Sequence, residues 1–597
     1  MKIFLGNSPW LDQNDPTKYG VRAGSRWPHF QPKKADEKIG CYVPFPHFLA
    51  TAAAVLETAG EDVLLIDGIA EGIRVEEFIG KIKGYSPDII LLEVSTPSIA
   101  YDLQIAGKIR YQCPNAKIAF SGIHAPMQSE GFLNENPIVD FVLFGEYEYT
   151  LRDLIHYYKN GKSYKDVQGL IFRGSNGEII KNEPRPLIQN LDDLPFYAHH
   201  FLPMKNYQDA PCGLPFPSVQ MWTSRGCPFR CSFCAWPQIM YGGNKYRVRS
   251  ISKILDELEI LIGAYGFKSF YFDDDTVNIG KKRMMELCDE IKKRGINLPW
   301  AIMARADTMD EELLRSFKDA GLYSLKYGVE SGDQDLVNAS GKKLDLQKVR
   351  ETLSITHELG IKTHLTFAFG LPGETKETIK KTIAFALELD SDSIQFSIVT
   401  PFPGSRHYDL AKEKGWLITE DWGKFNGSTH SVVRTENLSA ADLEEALAEA
   451  YRMWEKHKSN GLKRKVTKTG EEILKKAEKT LIMRSSFMSH FEEVLDLIYS
   501  QFTQHISVLG QPIIKEKFLN DPRIEKIFIY EKGFFNSRDF APEILNDIIK
   551  ESFDTILILY NHSPKETYAE VELIAQRLKP KKIIGIDPLG RVSKLDG

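Results

Sequence analysis

Short apolar runs alternate with longer amphipathic stretches over the first 160 residues of the chain. The apolar runs predict five β-strands, over residues 2–5, 62–66, 88–94, 116–120 and 140–144. The stretches between them have helical periodicity and predict α-helices over residues 48–59, 75–83, 100–111 and 149–159. This alternation is typical of a doubly wound parallel sheet, so residues 1–160 are predicted to form a Rossmann-like α/β domain.

The alternation resumes at residue 218, now with longer helices. Six strands are predicted, over residues 218–223, 270–273, 300–305, 324–329, 363–369 and 393–399. Six strand–helix units predict a partial (β/α)6 TIM-like barrel over residues 216–430, with its chemistry at the carboxyl ends of the strands. The proline-containing stretch 161–215 between the two domains is interpreted as an ordered structural connector.

The remaining residues predict a helical segment over 431–510 and a small α/β domain over 511–597. Helices are predicted over 440–458, 471–483 and 487–501, and strands over 526–530, 555–560 and 582–586. No catalytic set is apparent in this region. A docking or substrate-gating domain and a structural appendage both remain open interpretations.

The composition is that of an ordinary multidomain globular protein. The chain has 597 residues, 42% of them hydrophobic, and a net charge of −5, which gives no reason to expect nucleic-acid binding. The amino-terminal apolar run is too short for a signal peptide, and no run approaches the ~20 residues of a membrane span. These features favour a cytoplasmic protein without a transmembrane segment.

Three cysteines with C-x3-C-x2-C spacing, Cys227, Cys231 and Cys234, directly follow the first strand of the second region. Close spacing of this kind holds iron–sulfur clusters through thiolates. Three thiolates on a 4Fe–4S cluster leave one iron open, which is typical of a catalytic rather than a structural metal site. A structural zinc site is the alternative, but no further cysteine follows until Cys288 and no histidine until His357.

This motif resembles that of the radical S-adenosylmethionine (SAM) superfamily, whose open iron binds SAM. Phe233, just before the third cysteine, is the aromatic residue usual in that motif. The resemblance implies further SAM contacts at successive strand ends. These are Asp273 and Asp274 after the second strand, Arg305 after the third, Glu330 after the fourth, and Gly370 and Pro372 after the fifth. The Thr400–Ser405 run after the sixth strand also matches the superfamily.

A Rossmann-like domain before a radical SAM core resembles the cobalamin-dependent branch of the superfamily. Ser121-Gly122-Ile-His124 and Gly145-Glu146 stand where that branch has its cobalamin-binding runs. The histidine-donating Asp-x-His-x-x-Gly signature of other cobalamin domains is absent, and a long insert containing residues 20–29 takes its place. Two interpretations stay open: cobalamin bound without a histidine ligand, or a degenerate domain without cobalamin.

The resemblance implies reductive cleavage of SAM to a 5′-deoxyadenosyl radical and hydrogen abstraction from an unactivated carbon. Methyl transfer through methylcobalamin would then make the protein a C-methyltransferase. A cyclase, rearrangement or oxidation enzyme with the same cofactors is the alternative. An iron–sulfur scaffold without activity is the third interpretation. A reductant such as ferredoxin or flavodoxin is implied as partner. The Cys234-Ala-Trp-Pro-Gln238 run, followed by Tyr246-Arg-Val-Arg249, is similar to hopanoid-biosynthesis-associated members and implies a small-molecule or lipid-like substrate.

Overall fold

The computed structural model divides the chain into two compact units, Met1–Ala448 and Glu449–Gly597. The residues described are 1–9, 43–208, 211–428, 430–465, 474, 479–484, 488–503, 505–530, 542–560, 569–586 and 592–595. The insert that contains residues 20–29 lies outside the described residues, so the prediction attached to it stays a prediction.

The first sheet of the first unit has seven strands in the order β2-β1-β3-β4-β5-β6-β7. Its strands are β1 (Lys2–Asn7), β2 (Asp62–Asp67), β3 (Ile89–Val94), β4 (Lys117–Gly122), β5 (Phe141–Leu143), β6 (Leu170–Arg173) and β7 (Ile179–Lys181). Strands β1 to β5 are parallel, and β6 and β7 extend the sheet in antiparallel pairing. The five predicted strands are confirmed, but the predicted connector contributes β6 and β7 to this sheet.

Helices cover the parallel part of this sheet because its strands are apolar on both faces. They are α1 (His47–Thr58), α2 (Gly68–Glu71), α3 (Val75–Tyr85), α4 (Ile99–Gln112), α5 (Glu130–Glu135) and α6 (Glu148–Lys159). Ile3, Phe4 and Leu5 of β1 are fully buried. The four predicted helices correspond to α1, α3, α4 and α6. All five parallel strands therefore end at one edge, where the polar loops meet.

The second sheet has six parallel strands in the order β15-β14-β13-β12-β11-β8. They are β8 (Ser218–Met221), β11 (Ser269–Phe272), β12 (Trp300–Ala304), β13 (Leu322–Glu330), β14 (Lys362–Phe369) and β15 (Ser393–Ile398). A separate antiparallel pair joins β9 (Ser224–Gly226) to β10 (Tyr246–Val248). No pairing closes β15 onto β8 among the described residues, so the predicted partial barrel is confirmed as an open one.

The helices of this second region follow its strands in sequence. They are α7 (Ala235–Met240), α8 (Ile251–Tyr265), α9 (Lys281–Lys293), α10 (Glu311–Asp319), α11 (Gln334–Ala339), α12 (Leu346–Glu358), α13 (Lys376–Glu388) and α14 (Arg406–Glu413). Local signals set their ends: Ser250 caps α8, and Gly266 ends it with φ +64°. These two caps define where α8 begins and ends.

The second unit has its own six-stranded sheet, in the order β18-β17-β16-β19-β20-β21. Its strands are β16 (Lys479–Met483), β17 (His505–Gly510), β18 (Lys526–Ile529), β19 (Thr555–Leu559), β20 (Lys582–Ile586) and β21 (Val592–Leu595). Its helices are Met488–Gln501, Pro512–Phe518, Pro542–Lys550 and Ala569–Arg577, and helix α15 (Ala440–Lys465) spans the division between the units.

The prediction of a helix over residues 471–483 is wrong in its last five residues, which form the interior strand β16. Residues 480–483 are buried on both faces of the sheet. A short apolar run that is buried on both faces carries no periodicity that separates strand from helix. Likewise, β17 lies inside the stretch predicted to be helical. None of the helices in the described residues has both the length and the apolar character of a membrane span.

Candidate active site

The cysteine loop begins on a short hairpin that carboxylates at the end of β11 hold in place. Asp274 accepts hydrogen bonds from the backbone N–H of Thr223 (2.7 Å) and from the hydroxyls of Thr223 and Ser224. Asp275 accepts one from the N–H of Gly226 at 3.1 Å. The carboxylate of Asp274 is fully buried by these contacts. Asp274, predicted as a SAM contact, therefore acts here as the anchor of the cysteine loop.

Glycine is required at residue 226, just before the first cysteine. Its φ is +85°, and a Cβ there would lie 1.8 Å from the carbonyl oxygen of Lys245. This close approach lets β9 pair with β10, with Gly226 opposite Tyr246. The hairpin thus fixes the direction in which the chain enters the cysteine loop.

The three cysteines are partly buried neighbours. Burial raises the pKa of Cys227 to about 11. Burial also raises the pKa of Cys234 well above its usual value, with smaller contributions from Cys231, Asp275 and Cys227. Among the described residues, no three Cys, His, Asp or Glu side chains are close enough to share one metal ion. The pKa of Cys234 responds to both other cysteines, so the three thiols lie within electrostatic reach of one another, and their role as cluster ligands stays a prediction.

The loop that follows α11 packs directly on the cysteine loop. The N–H of Ser232 donates to the carbonyl of Ser340 at 2.8 Å. A Cβ at Gly341 would lie 2.4 Å from the carbonyl oxygen of Arg230, so only glycine allows this approach. The next residue, Lys342, is buried and donates from Nζ to Oε1 of Glu330 at 2.8 Å.

Lys342 is a candidate functional residue that the sequence did not indicate. Burial lowers its pKa, but Glu330 and Cys231 outweigh that effect and the net shift is upward, so the amine stays charged. Its sequence context, two lysines after a Ser-Gly pair, is that of an ordinary surface turn. Only the fold turns one of these lysines inward, toward the cysteines.

Glu330 has an unusual backbone conformation at the end of β13. Its φ is +74°, in the left-handed region, and the β13–β14 register shifts between Gly328 and Glu330. Such a conformation costs of order 1–3 kcal/mol in a residue with a side chain and concentrates at functional sites. The bulge turns the carboxylate of Glu330 toward Lys342 at the carboxyl edge of the second sheet.

Arg305 is buried at the end of β12, and Asp307 occupies its planar fork. Nε and Nη2 donate to the two oxygens of Asp307 at 3.0 and 2.7 Å. Nη2 also donates to the carbonyl of Lys342, and the guanidinium stacks 3.7 Å from the ring of Phe229 in the cysteine loop. These contacts occupy the fork, so the expected contact of Arg305 with SAM stays a prediction. In this structure the arginine stabilises the cysteine loop through Phe229.

The remaining predicted SAM residues line the same edge. Asp273 is buried, and its N–H donates to the carbonyl of Met221 at 2.9 Å. Phe233 packs against an apolar cluster formed by Leu336, Ala368, Leu371 and Val399. Gly370 has φ +98°, and its N–H donates to Glu374 in the loop that also contains Pro372. The structure therefore brings all these strand ends together with the cysteines.

The carboxyl edge of the first sheet is buried and polar. Asp102 accepts hydrogen bonds from Ser8 and Ser98, and Ser98 bonds Ser95 at 2.9 Å. Ser121 is fully buried, and its hydroxyl has no hydrogen-bond partner among the described residues. A buried hydroxyl left in this state indicates a polar ligand at this edge.

Gly122 and His124 complete this edge. Gly122 has φ +123°, and a Cβ there would lie 2.1 Å from the carbonyl oxygen of Val94. His124 lies 3.3 Å from the hydroxyl of Thr96 and meets the Trp422 ring edge-on. Burial lowers its pKa to about 3, so the imidazole is neutral at physiological pH. The glycine lets β4 lie close to Val94 of β3. The buried hydroxyls and the neutral imidazole beside it fit a large amide-rich cofactor such as cobalamin.

Gly145 and Glu146, the other predicted cobalamin contacts, lie at the joint between the two sheets. Arg225 of β9 donates to Glu146 at 2.9 Å and to Glu148 at 2.6 Å, and Arg247 of β10 donates to Glu146 at 2.7 Å. We call these four residues the arginine–glutamate joint. Because both oxygens of Glu146 are taken by arginines, its predicted side-chain contact with cobalamin is not supported. Gly145 has φ +71° and adjoins this joint.

Burial and mutual attraction set the charges of the joint. Burial raises the pKa of Glu146, but Arg225 and Arg247 outweigh it and the net shift is downward. Burial dominates for Glu148, whose pKa is raised despite Arg225. Arg225 is also covered by the Phe48 ring at 4.7 Å from its centroid. The cysteine loop and the polar edge of the first sheet are thus connected through buried, charged side chains.

A polar parallel-sheet edge facing an open six-stranded sheet with a three-cysteine loop defines the class of radical SAM enzymes with an accessory cofactor domain. The Radical SAM superfamily matches residues 222–386, and the B12 binding domain matches residues 45–155. The chain belongs to the cobalamin-dependent radical SAM family, whose defining cofactors are a 4Fe–4S cluster, SAM and cobalamin.

Three known proteins illustrate the similarity. An uncharacterized methyltransferase of Pyrococcus horikoshii is 32% identical over 391 residues, which are 65% of this chain and 83% of the relative. The anaerobic magnesium-protoporphyrin IX monomethyl ester cyclase of Cereibacter sphaeroides is 29% identical over 417 residues, 68% of this chain and 66% of the relative. The solved structure of the cobalamin-dependent SAM radical enzyme OxsB, with aqua-cobalamin and SAM bound, has 18% identity. It aligns with a TM-score of 0.57 over 91% of this chain and 78% of that one.

Proposed function

We propose that the protein is a C-methyltransferase that methylates an unactivated carbon of a small organic substrate. The observation that carries this proposal is the arginine–glutamate joint. It ties the loop of Cys227 to the carboxyl edge of the first sheet, so that the two predicted cofactor sites adjoin within one unit. A methyl group passed from one cofactor to a substrate radical made by the other requires this adjacency.

The residues divide into three sets by the group each would hold. Cys227, Cys231 and Cys234 would hold the cluster; Ser121, Gly122, His124 and Gly145 would face cobalamin. SAM would lie among Phe233, Asp273, Glu330, Lys342, Gly370 and Pro372. When bound, these groups supply one electron, the 5′-deoxyadenosyl radical and a transferable methyl group. The protein's own part is to position them and to exclude water and oxygen.

Within this arrangement two residues act indirectly. Asp274 orients the cysteine loop through Thr223 and Ser224. Arg305 stabilises the same loop, because its guanidinium stacks on Phe229 and donates a hydrogen bond to the carbonyl of Lys342. Both are positioning residues in this proposal, since the atoms they would offer to SAM are engaged with protein.

The proposed partners are a small-molecule or lipid-like substrate and a low-potential reductant such as ferredoxin or flavodoxin. The motif between Cys234 and Arg249 supports the lipid-like class. We propose a cytoplasmic location, because the oxygen-labile cluster needs a reducing compartment. Nucleic acid has no place in the proposal, since the net charge of −5 offers no general attraction for it.

The test uses anaerobic full-length protein with reconstituted cluster, cobalamin, SAM and a low-potential reductant. S-Adenosylhomocysteine, methylcobalamin and 5′-deoxyadenosine are quantified by mass spectrometry. Methylcobalamin together with S-adenosylhomocysteine is the expected result. The Cys231→Ala variant serves as the control without a complete cluster and should form no 5′-deoxyadenosine. SAM cleavage by that variant would contradict the proposal.

The second candidate is a cyclase or other radical enzyme that transfers no methyl group. The 29% identity to an anaerobic magnesium-protoporphyrin IX monomethyl ester cyclase favours it. The same experiment separates the two functions, because 5′-deoxyadenosine without methylcobalamin would support the cyclase-like chemistry and contradict methyl transfer.

A further inference from the structure

A basic groove lies beside the helix that follows the cysteine loop. It is a cavity of about 740 Å³ between residues 144–145, residues 181–189 and residues 238–247. Its charged lining residues are Lys181, Arg185, Lys245 and Arg247, and the described lining includes no carboxylate. We call this cavity the α7 groove, after the helix that contributes Gln238, Ile239 and Met240 to it.

The floor of the α7 groove connects directly to the cysteine loop. Nε2 of Gln238 donates to the backbone carbonyls of Cys234 at 2.6 Å, Ser232 at 3.1 Å and Cys231 at 3.4 Å. One side chain therefore joins the groove to the backbone of two of the three predicted cluster ligands.

The two arginines of the groove are already engaged. Arg185 pairs with Asp153 at 2.5 Å, and Arg247 pairs with Glu146 at 2.7 Å. Lys181 and Lys245 are exposed, and Nζ of Lys181 lies 5.3 Å from the centroid of the Phe144 ring. A site for a small anion needs convergent buried cations, whereas exposed rim cations around an open groove attract an acidic surface from a distance.

We propose that the α7 groove is the docking surface for an acidic one-electron donor protein of the flavodoxin or ferredoxin kind. This inference rests on the proposed function, in which a cluster held by Cys227, Cys231 and Cys234 must be reduced. The donor's carboxylates meet Lys181 and Lys245, and its redox centre faces helix α7. One electron passes from the reduced donor to the oxidised cluster by way of the Gln238 contacts, with no bond made or broken.

The test is the rate of cluster reduction by photoreduced flavodoxin, followed anaerobically by absorbance in the full-length, cluster-loaded protein. The double variant Lys181→Glu/Lys245→Glu reverses both rim charges. Lys282→Glu on α9 is the matched control, because its side chain is 93% exposed and lies outside the groove. Dithionite reduces the same samples without a docking surface.

At low salt the double variant should be reduced by flavodoxin about tenfold more slowly than the wild type, within the range of electrostatic steering. The ratio of the two reduction rates should approach one at 0.5 M salt, where the Debye screening length falls to a few Å. Lys282→Glu should match the wild type, and all three should react equally with dithionite. Equal flavodoxin rates in the double variant and wild type would overturn the proposal.

Two further outcomes would also overturn it. An equal slowing in Lys282→Glu would mean that net charge alone matters, and a parallel slowing with dithionite would mean that the groove admits small anions or that the cluster has changed. Failure of the proposed function is distinguishable, since it would appear as absent SAM cleavage even with dithionite. If dithionite supports SAM cleavage but flavodoxin reduces the cluster of the double variant as fast as that of the wild type, only the docking surface is refuted.

Discussion

Arg225→Met is the sharpest test of the arginine–glutamate joint. Arg225 is 4% exposed in its side chain and bridges Glu146 and Glu148, which are 2% and 0% exposed. Methionine keeps most of the apolar length of the side chain but removes both ion pairs. Glu146 keeps Arg247 as partner, whereas Glu148 loses its partner in a buried position.

The expected cost follows from that loss. Removing one partner of a buried ion pair destabilises by about 3–5 kcal/mol, and losing the contact with the Phe48 ring adds about 1 kcal/mol. Protonation of Glu148 relieves part of this cost, because its pKa is already raised by burial. We therefore expect a loss of roughly 3 kcal/mol in the free energy of unfolding near pH 8, and a smaller loss near pH 5.

The assay is urea unfolding of the anaerobic, cofactor-free protein, followed by tryptophan fluorescence. Trp222 lies 5.6 Å from the Arg225 guanidinium and reports on the joint. Arg315→Met is the matched control, since Arg315 pairs with Glu311 at 2.6 Å but both side chains are more than half exposed. It should cost less than about 1 kcal/mol.

The double variant Arg225→Met/Glu148→Gln completes a mutant cycle. It should recover a large part of the loss, because the unpaired buried charge is gone. The reasoning is refuted if Arg225→Met costs no more than Arg315→Met, or if the effects of the two joint substitutions simply add.

Three other substitutions test separate parts of the site. Cys231→Ala should abolish iron incorporation and SAM cleavage, whereas Cys288→Ala, at a buried thiol elsewhere, should retain both; equal iron content in the two would exclude the predicted ligand set. Gly122→Ala should abolish cobalamin retention on a desalting column, because its Cβ would collide with the Val94 carbonyl, while Gly107→Ala meets no atom within 4 Å and should bind normally. Burial raises the pKa of Glu374 from 4.5 to about 8, so the fold favours its protonated form. The free energy of unfolding should fall as pH rises from 4.5 to 8, and Glu374→Gln should lack that fall; identical pH slopes would disprove the shift.

The sequence predicts most of the framework around the site, because alternating strands and helices leave strong local signals. All eleven strands predicted for the first two sheets are present, and the three cysteines carry their own spacing. The helix prediction fails over residues 479–483, because a short segment that is buried on both faces of a sheet carries no periodicity that separates strand from helix. The sequence does not indicate β6 and β7, because strands of four and three residues are too short to show a periodic pattern.

Contacts between residues far apart in the chain could not be predicted from the sequence. Lys342 and Glu330 are twelve positions apart and separated by helix α11, and nothing local says whether Lys342 or Lys343 turns inward. Glu146 was predicted to face cobalamin from a two-residue match, but the fold brings it beside Arg225, 79 positions away. Such pairings depend on how two sheets are joined, which no window of sequence contains.

The left-handed backbone of Glu330 ties a strained conformation to a buried ion pair. Glycine at this position would adopt φ +74° without steric cost and would remove about 1–3 kcal/mol of strain. The same change would leave Lys342 buried without its carboxylate, which costs about 3–5 kcal/mol and outweighs that gain. The ion pair therefore keeps the strained backbone in place, and a design that replaces Glu330 by glycine to relieve strain should weaken the fold.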